Sequence, residues 1–230
     1  MLDCLKFSEY FGRFWFAAEP IFGVVMTMVF LSILRNQALY AYPILLDKVT
    51  GMVILAAITC CIAWGIVDGI FYAWENHSIA AKKNLAINYV KNQQQRDKSR
   101  ELIEEDLEDS YVNLLNEDEK QSIYDKVLDT LSSSESKEKV LLKNDFVTIF
   151  LDMCLNLGAC LVIVFPLVLL RDYSGIVQLL NLAVVIAITF LFFIGAWTET
   201  RKSLKLKARK GALYAVLGVI ITVLTYFLGG

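Results

Sequence analysis

Histidine and proline are scarce in this 230-residue chain, with 1 and 3 copies respectively. There is no zinc-type histidine pair, no nucleophile beside a base and no Gly-rich phosphate loop. Acid–base chemistry would rest on carboxylates alone, so the chain is not read as an enzyme. The 5 cysteines, Cys4, Cys60, Cys61, Cys154 and Cys160, lack the short paired spacing of a zinc site, and four lie in apolar runs. Cys60 and Cys61 leave a helix on different sides, and these cysteines are read as small buried hydrophobes. A net charge of -2 gives no electrostatic reason to expect nucleic acid as a partner. Two long stretches, 174–198 and 211–230, contain no Asp, Glu, Lys or Arg at all.

What fills those stretches is apolar. The chain is 57% hydrophobic with a mean hydropathy of +0.53, against about 45–50% apolar for a soluble domain. This excludes disorder and a simple water-soluble enzyme, and predicts an all-α, multi-pass integral membrane protein. Five stretches are long enough to cross a bilayer, each needing about 20 apolar residues: 14–34, 51–74, 146–170, 174–197 and 211–228. The first is too long for a signal peptide and lacks a small-residue cleavage site. Pro20 is placed near the start of its helix, where a missing N–H costs little. Basic residues favour the cytosolic side of a membrane. The run Arg201, Lys202, Lys205, Lys207, Arg209 and Lys210 therefore places the N-terminus and residues 75–145 in the cytosol and the C-terminus outside. The same run also serves as an anchor for anionic headgroups. The membrane expected is the cytoplasmic one.

The chain thus divides into 1–75 (spans one and two), 76–145 (a cytosolic insertion) and 146–230 (spans three to five). Apolar residues of the insertion recur at helical spacing: Leu85 and Tyr89; Leu102, Ile103, Leu107 and Leu114; then Ile123, Tyr124, Val127, Leu128 and Leu131. This predicts a small domain of three amphipathic helices. Asn116 with Glu119 is the pattern of a capping box opening the third. The tract 132–137 reads as a tether. Between Asp97 and Glu119 ten carboxylates face only Lys98 and Arg100. Glu101, Glu104, Glu105 and Glu108 share a helix face. Two readings stand: a solvated face, or a surface whose like-charge repulsion a divalent cation relieves.

Three carboxylates lie inside apolar spans: Glu19, Asp68 and Asp152. Counted along their helices, all three sit about 7–9 Å in from the cytosolic ends. A charge so placed costs several kcal/mol unless it is paired, wetted or functional. Asp152, Asn156 and Cys160 form one stripe, Met26 lies on the Glu19 face, and Asn181 and Thr189 are expected to continue the polar pattern in span four. Carboxylate, amide and thioether ligands suit a borderline divalent ion such as Fe²⁺ or Mn²⁺. The plainer readings are snorkelling acids, an Asn156 that bonds a neighbouring helix, and a Met26 that packs. Gly65 and Gly69 flank Asp68 at a spacing that permits close helix packing. His77 is read as an interfacial polar residue.

The stretch Glu19-Pro20-Ile21-Phe22-Gly23 with Met26-Thr27, followed by Ala63-Trp64-Gly65-Ile66-Val67-Asp68-Gly69, resembles a bacterial branch of the vacuolar iron transporter family. The five-span layout, with an acid-bearing helical domain between the second and third spans, is similar too. The resemblance implies a homodimer that exports Fe²⁺, often also Mn²⁺, from the cytosol in exchange for protons. It implies that Glu101, Glu104, Glu105 and Glu108 collect metal, and that Asp68, Glu19 and Met26 pass it on. Family members open the first span with Asp-Gly, whereas here that pair is Asp68-Gly69 in the second span and Glu19-Pro20 stands in the first. The expected function is transport of divalent metal, with no cofactor beyond the ion carried. The alternative is a membrane scaffold or regulator whose cytosolic helices bind a protein partner.

Overall fold

The computed structural model describes residues 13–40, 43–92, 95–108, 110–135, 142–170 and 175–228, and among them every regular element is helical. In chain order these are α1 (Arg13–Tyr40), α2 (Pro43–Lys91), α3 (Arg96–Glu108), a 3₁₀ turn (Tyr111–Leu114), α4 (Glu117–Ser132), α5 (Leu142–Leu169), α6 (Ile176–Thr198) and α7 (Leu204–Leu228). Five of them contain stretches long and apolar enough to cross a membrane: Ala17–Asn36, Lys48–Lys91, Asp145–Leu169, Ile176–Thr198 and Leu204–Phe227. The chain forms two compact units, Met1–Ile70 with Asp145–Gly230, and Phe71–Asn144.

In the first unit α6 and α7 pack along their lengths, and α1 lies on both. Lipid tails are as apolar as leucine, so helices in a bilayer associate by close packing rather than by escape from water. The inward faces follow that rule. On α6 the buried face is Leu179, Leu180, Ala183, Ala187, Leu191 and Gly195. It meets Val24, Met28, Leu31 and Leu34 of α1, Ala57 of α2, and Ala159, Ile163, Val164 and Leu167 of α5 in one core. The outward faces keep large apolar side chains exposed, among them Phe146, Phe150, Phe165, Val185, Phe193, Leu213 and Phe227. A surface this apolar suits lipid rather than water.

The turn from α6 to α7 is held by charge. Arg201 donates to Glu199 through Nε at 2.8 Å, Nη2 at 3.1 Å and its backbone N–H at 3.1 Å. These bonds to the ionised carboxylate hold the Glu199 carboxyl down at about 2. Lys210 Nζ donates to the carbonyl of Thr198 at 3.2 Å, satisfying an end of α6 that has no intrahelical partner.

The second unit has a small core of Val90, Ile103, Tyr124 and Leu128, backed by Leu107, Val112, Val127 and Leu131. Ser99 is fully buried there, and its hydroxyl donates to the Ala86 carbonyl at 3.1 Å. The capping box is present: Glu119 N–H donates to Asn116 Oδ1 at 2.9 Å, and Asn116 N–H to Glu119 Oε2 at 3.3 Å.

Several details differ from the sequence reading. The first amphipathic helix of the insertion is no separate element but the end of α2, and it buries Ala86, Ile87 and Val90 while Leu85 is exposed. Periodicity alone gave no break there, because no Gly or Pro interrupts the helix. Leu114 falls in the 3₁₀ turn and is 83% exposed. Pro20 lies inside α1 rather than near its start, because the helix already begins at Arg13. The missing N–H therefore removes one hydrogen bond within the helix. Lys205, Lys207, Arg209 and Lys210 belong to the first turns of α7 rather than to a loop. Asn181, Thr189 and Cys154 face outward instead of joining the interior. Of the tract 132–137, Ser132 ends α4 and Ser133 caps it, while Cys4 and residues 136–137 lie outside the described residues.

Candidate functional site

Two helices of the first unit bring the same four-residue step to one seam. α1 carries Glu19, Gly23 and Thr27, and α5 carries Asp152, Asn156 and Cys160. Residues four apart stay on one helix face, and here both faces point inward. Glu19 is 2% exposed and Asp152 1%, while Asn156 and Thr27 have no exposure at all. Asn156 Nδ2 donates to Glu19 Oε2 at 2.7 Å, a short distance for an amide donor and typical of an ionised acceptor. The Asp152 carboxyl lies in hydrogen-bonding contact with that of Glu19. Asp152 Oδ1 and Asn156 Oδ1 have no partner among the described residues. Like charges in contact away from water do not persist uncompensated, so the pair has to take up a proton or a cation.

Asp68 reaches the same neighbourhood from α2. It is half-buried, one turn after Trp64, and stands in electrostatic range of Glu19 and Asp152. Its Oδ2 is buried and unpaired. No ion pair to Glu19, Asp68 or Asp152 occurs among the described residues. Glycine lets the three helices approach. A Cβ on Gly23 would stand 2.5 Å from the backbone oxygen of Asn156, and one on Gly65 would stand 2.5 Å from Met153 Cα. Either is closer than real side chains come, which is why these positions carry no side chain.

Further along, the seam turns from oxygen to sulfur. Cys61 of α2 and Cys160 of α5 are both fully buried and pack in the same core. Thr27 Oγ1 lies 3.8 Å from Cys61 Sγ. Met26 meets Cys60, whose Sγ lies 3.9 Å from Met26 Sδ.

No family model, curated protein or solved structure matches the chain. The site is therefore read from its own geometry.

In the second unit Glu101, Glu104 and Glu105 line one open hollow of about 430 Å³ with Asn113, Glu117, Lys120, Gln121 and Tyr124. The acids are less isolated than the sequence count suggests. Glu104 pairs with Arg100 at 3.2 Å, and Lys82 of α2 reaches Glu105 at 3.3 Å and Asp106 at 2.8 Å. The Glu108 side chain lies outside the described ones. Among the described residues no three His, Cys, Asp or Glu side chains stand grouped to hold a metal ion.

Of the residues picked out from sequence, the structure brings Glu19, Asp152 and Asn156 together, with Asp68 in electrostatic range. It sets Met26 against the Cys60 sulfur. Gly23 and Thr27 stood out in the sequence only as part of the family-like stretch, and Cys61 only as a buried hydrophobe; none was a candidate site residue. The i, i+4, i+8 rule that found the Asp152 stripe also links Glu19, Gly23 and Thr27, but glycine and threonine carry no signal until the partner helix is known.

Proposed function

We propose that this protein is a divalent-cation transporter, carrying Fe²⁺ or Mn²⁺ out of the cytosol in exchange for protons and related to the vacuolar iron transporters. The observation that carries the reading is the buried contact between Glu19 and Asp152, oriented by Asn156 and lacking any basic partner among the described residues. Burying carboxylates without a counter-charge costs several kcal/mol, and a cargo that neutralises them offsets that cost. The acids of 97–119 raise the cation concentration at the cytosolic face, as a surface of one sign does. The ion then passes Asp68 and exchanges water for oxygens of Glu19 and Asp152, with the Asn156 carbonyl as a neutral ligand. Protons returning to the same oxygens release it outward. The protein works as a homodimer in the cytoplasmic membrane, with its N-terminus inside.

The test is metal-dependent flux in proteoliposomes, wild type beside Asp68→Asn and Glu19→Gln. Flux of Fe²⁺ or Mn²⁺ in the wild type and its loss in both variants is expected. Equal flux in all three removes these carboxylates from the pathway, and no flux of any divalent ion ends the transport reading. One observation favours a second reading, a scaffold that binds a protein. The second unit has a mostly apolar hollow of about 280 Å³ lined by Ala86, Ile87, Ile103, Leu107 and Val127 among others. Partner capture by the full chain with no metal flux would select it.

A further inference from the structure

The carboxylates use only one end of the seam. Eight residues on from Glu19 in α1 stands Thr27, eight on from Asp152 in α5 stands Cys160, and seven back from Asp68 in α2 stands Cys61. At 1.5 Å per residue this second level lies about 10–12 Å from the acids along the helix axes. Four sulfurs from three helices occupy it, those of Met26, Cys60, Cys61 and Cys160. Two of them, Cys61 and Cys160, come from different helices, are fully buried and pack in one core, where their thiols interact. They are free thiols.

What holds the thiol protons there is weak. The contacts of Cys61 Sγ with the Gly23 carbonyl and the Thr27 hydroxyl span 3.9 and 3.8 Å, and a thiol is a poor donor. Thr27 is committed elsewhere, its Oγ1 donating to the Gly23 carbonyl at 2.7 Å. The Cys60 and Met26 sulfurs, 3.9 Å apart, add a second soft pair at the same level. Two buried thiols of one core whose protons are so weakly held suit an ion that accepts two-coordinate sulfur, and soft thiolate and thioether donors select copper(I) over hard divalent ions.

We propose that Cys61 and Cys160 form a second metal site of the bundle, a two-thiolate clamp for a soft monovalent ion of the copper(I) or silver(I) class. Binding forms two sulfur–metal bonds, breaks two S–H bonds and releases two protons to water, with no change of oxidation state. The ion's single positive charge partly offsets the two thiolates in the apolar interior. The site is distinct from the carboxylates in chemistry and in depth, and it does not depend on the transport reading.

The test uses silver(I) alone, titrated into the reduced full-length protein in detergent and followed by the ultraviolet thiolate-to-silver charge-transfer band. The background is Cys4→Ser/Cys154→Ser, which leaves Cys60, Cys61 and Cys160 as the remaining thiols. A single tight equivalent is expected in that background. It should be lost in Cys61→Ser and in Cys160→Ser, each also made as alanine so that a folded member of each pair carries the result. It should persist in Glu19→Gln, where the transport reading predicts no flux. Silver uptake indifferent to both cysteines overturns the proposal. So does finding residues 61 and 160 already joined as a disulfide in freshly purified protein, read by mass spectrometry after alkylation.

Discussion

Replacing Asn156 by leucine keeps the volume of the side chain but removes the amide that donates to Glu19 at 2.7 Å. Glu19 is then a buried carboxylate with an orphaned oxygen beside Asp152. A hydrogen bond to a charged group contributes about 1.5–3 kcal/mol, while interhelical bonds in membranes average about 0.6 and reach about 1.7, because the separated helices find other partners. The acceptor here is a carboxylate and both residues are almost fully buried, so the upper part of the membrane range applies. Asn156→Leu should cost about 1–2 kcal/mol, a factor of roughly 5–30 in the folded population. Glu19→Met should cost less than that, because it strands the amide but removes the clash of like charges with Asp152. The double variant replaces both partners by apolar groups of similar shape, which is close to neutral. Reversible unfolding of the four proteins in mixed micelles yields the coupling energy, expected at about 1–2 kcal/mol. A coupling within about 0.5 kcal/mol of zero is what independent sites give, and it would refute the placement of Asn156 as the group that orients Glu19.

Gly65→Ala drives a methyl group to within 2.5 Å of Met153 Cα. The same unfolding assay should show a loss of about 1–3 kcal/mol from overpacking, whereas Gly51→Ala, with nothing within 4 Å, should be neutral or stabilising. The Glu199 carboxyl is held below its unfolded value by Arg201, so its contribution is complete above the ordinary carboxylate range near 4.5 and is lost as pH falls toward about 2. Thermal melts between those limits should steepen for the wild type relative to Glu199→Gln, and identical profiles would count against the bidentate pair. Asn116→Ala removes the cap of α4 and should cost about 0.5–2 kcal/mol. Faster amide exchange at the first turn of α4 in the full chain, at Glu119 above all, is the measurement.

Runs of apolar residues alone determined that five helices would be long enough to span a bilayer, because length and hydropathy are properties of single segments. The capping box was readable for the same reason, as its two bonds join residues three apart. The burial of Glu19 and Asp152 was partly legible, since an acid in an apolar run has to be compensated somewhere. That they meet each other and Asn156, rather than a base, was decided only by the packing of α1 against α5, 137 positions apart in the chain for the Asn156–Glu19 bond. Gly23 and Gly65 are mute in sequence and become necessary once a facing backbone leaves no room for a Cβ. Cys61 and Cys160 read singly as small hydrophobes, and only the tertiary structure makes them neighbours. A one-dimensional pattern records which face of a helix a residue occupies, and the partner across that face is set by how the helices close on one another.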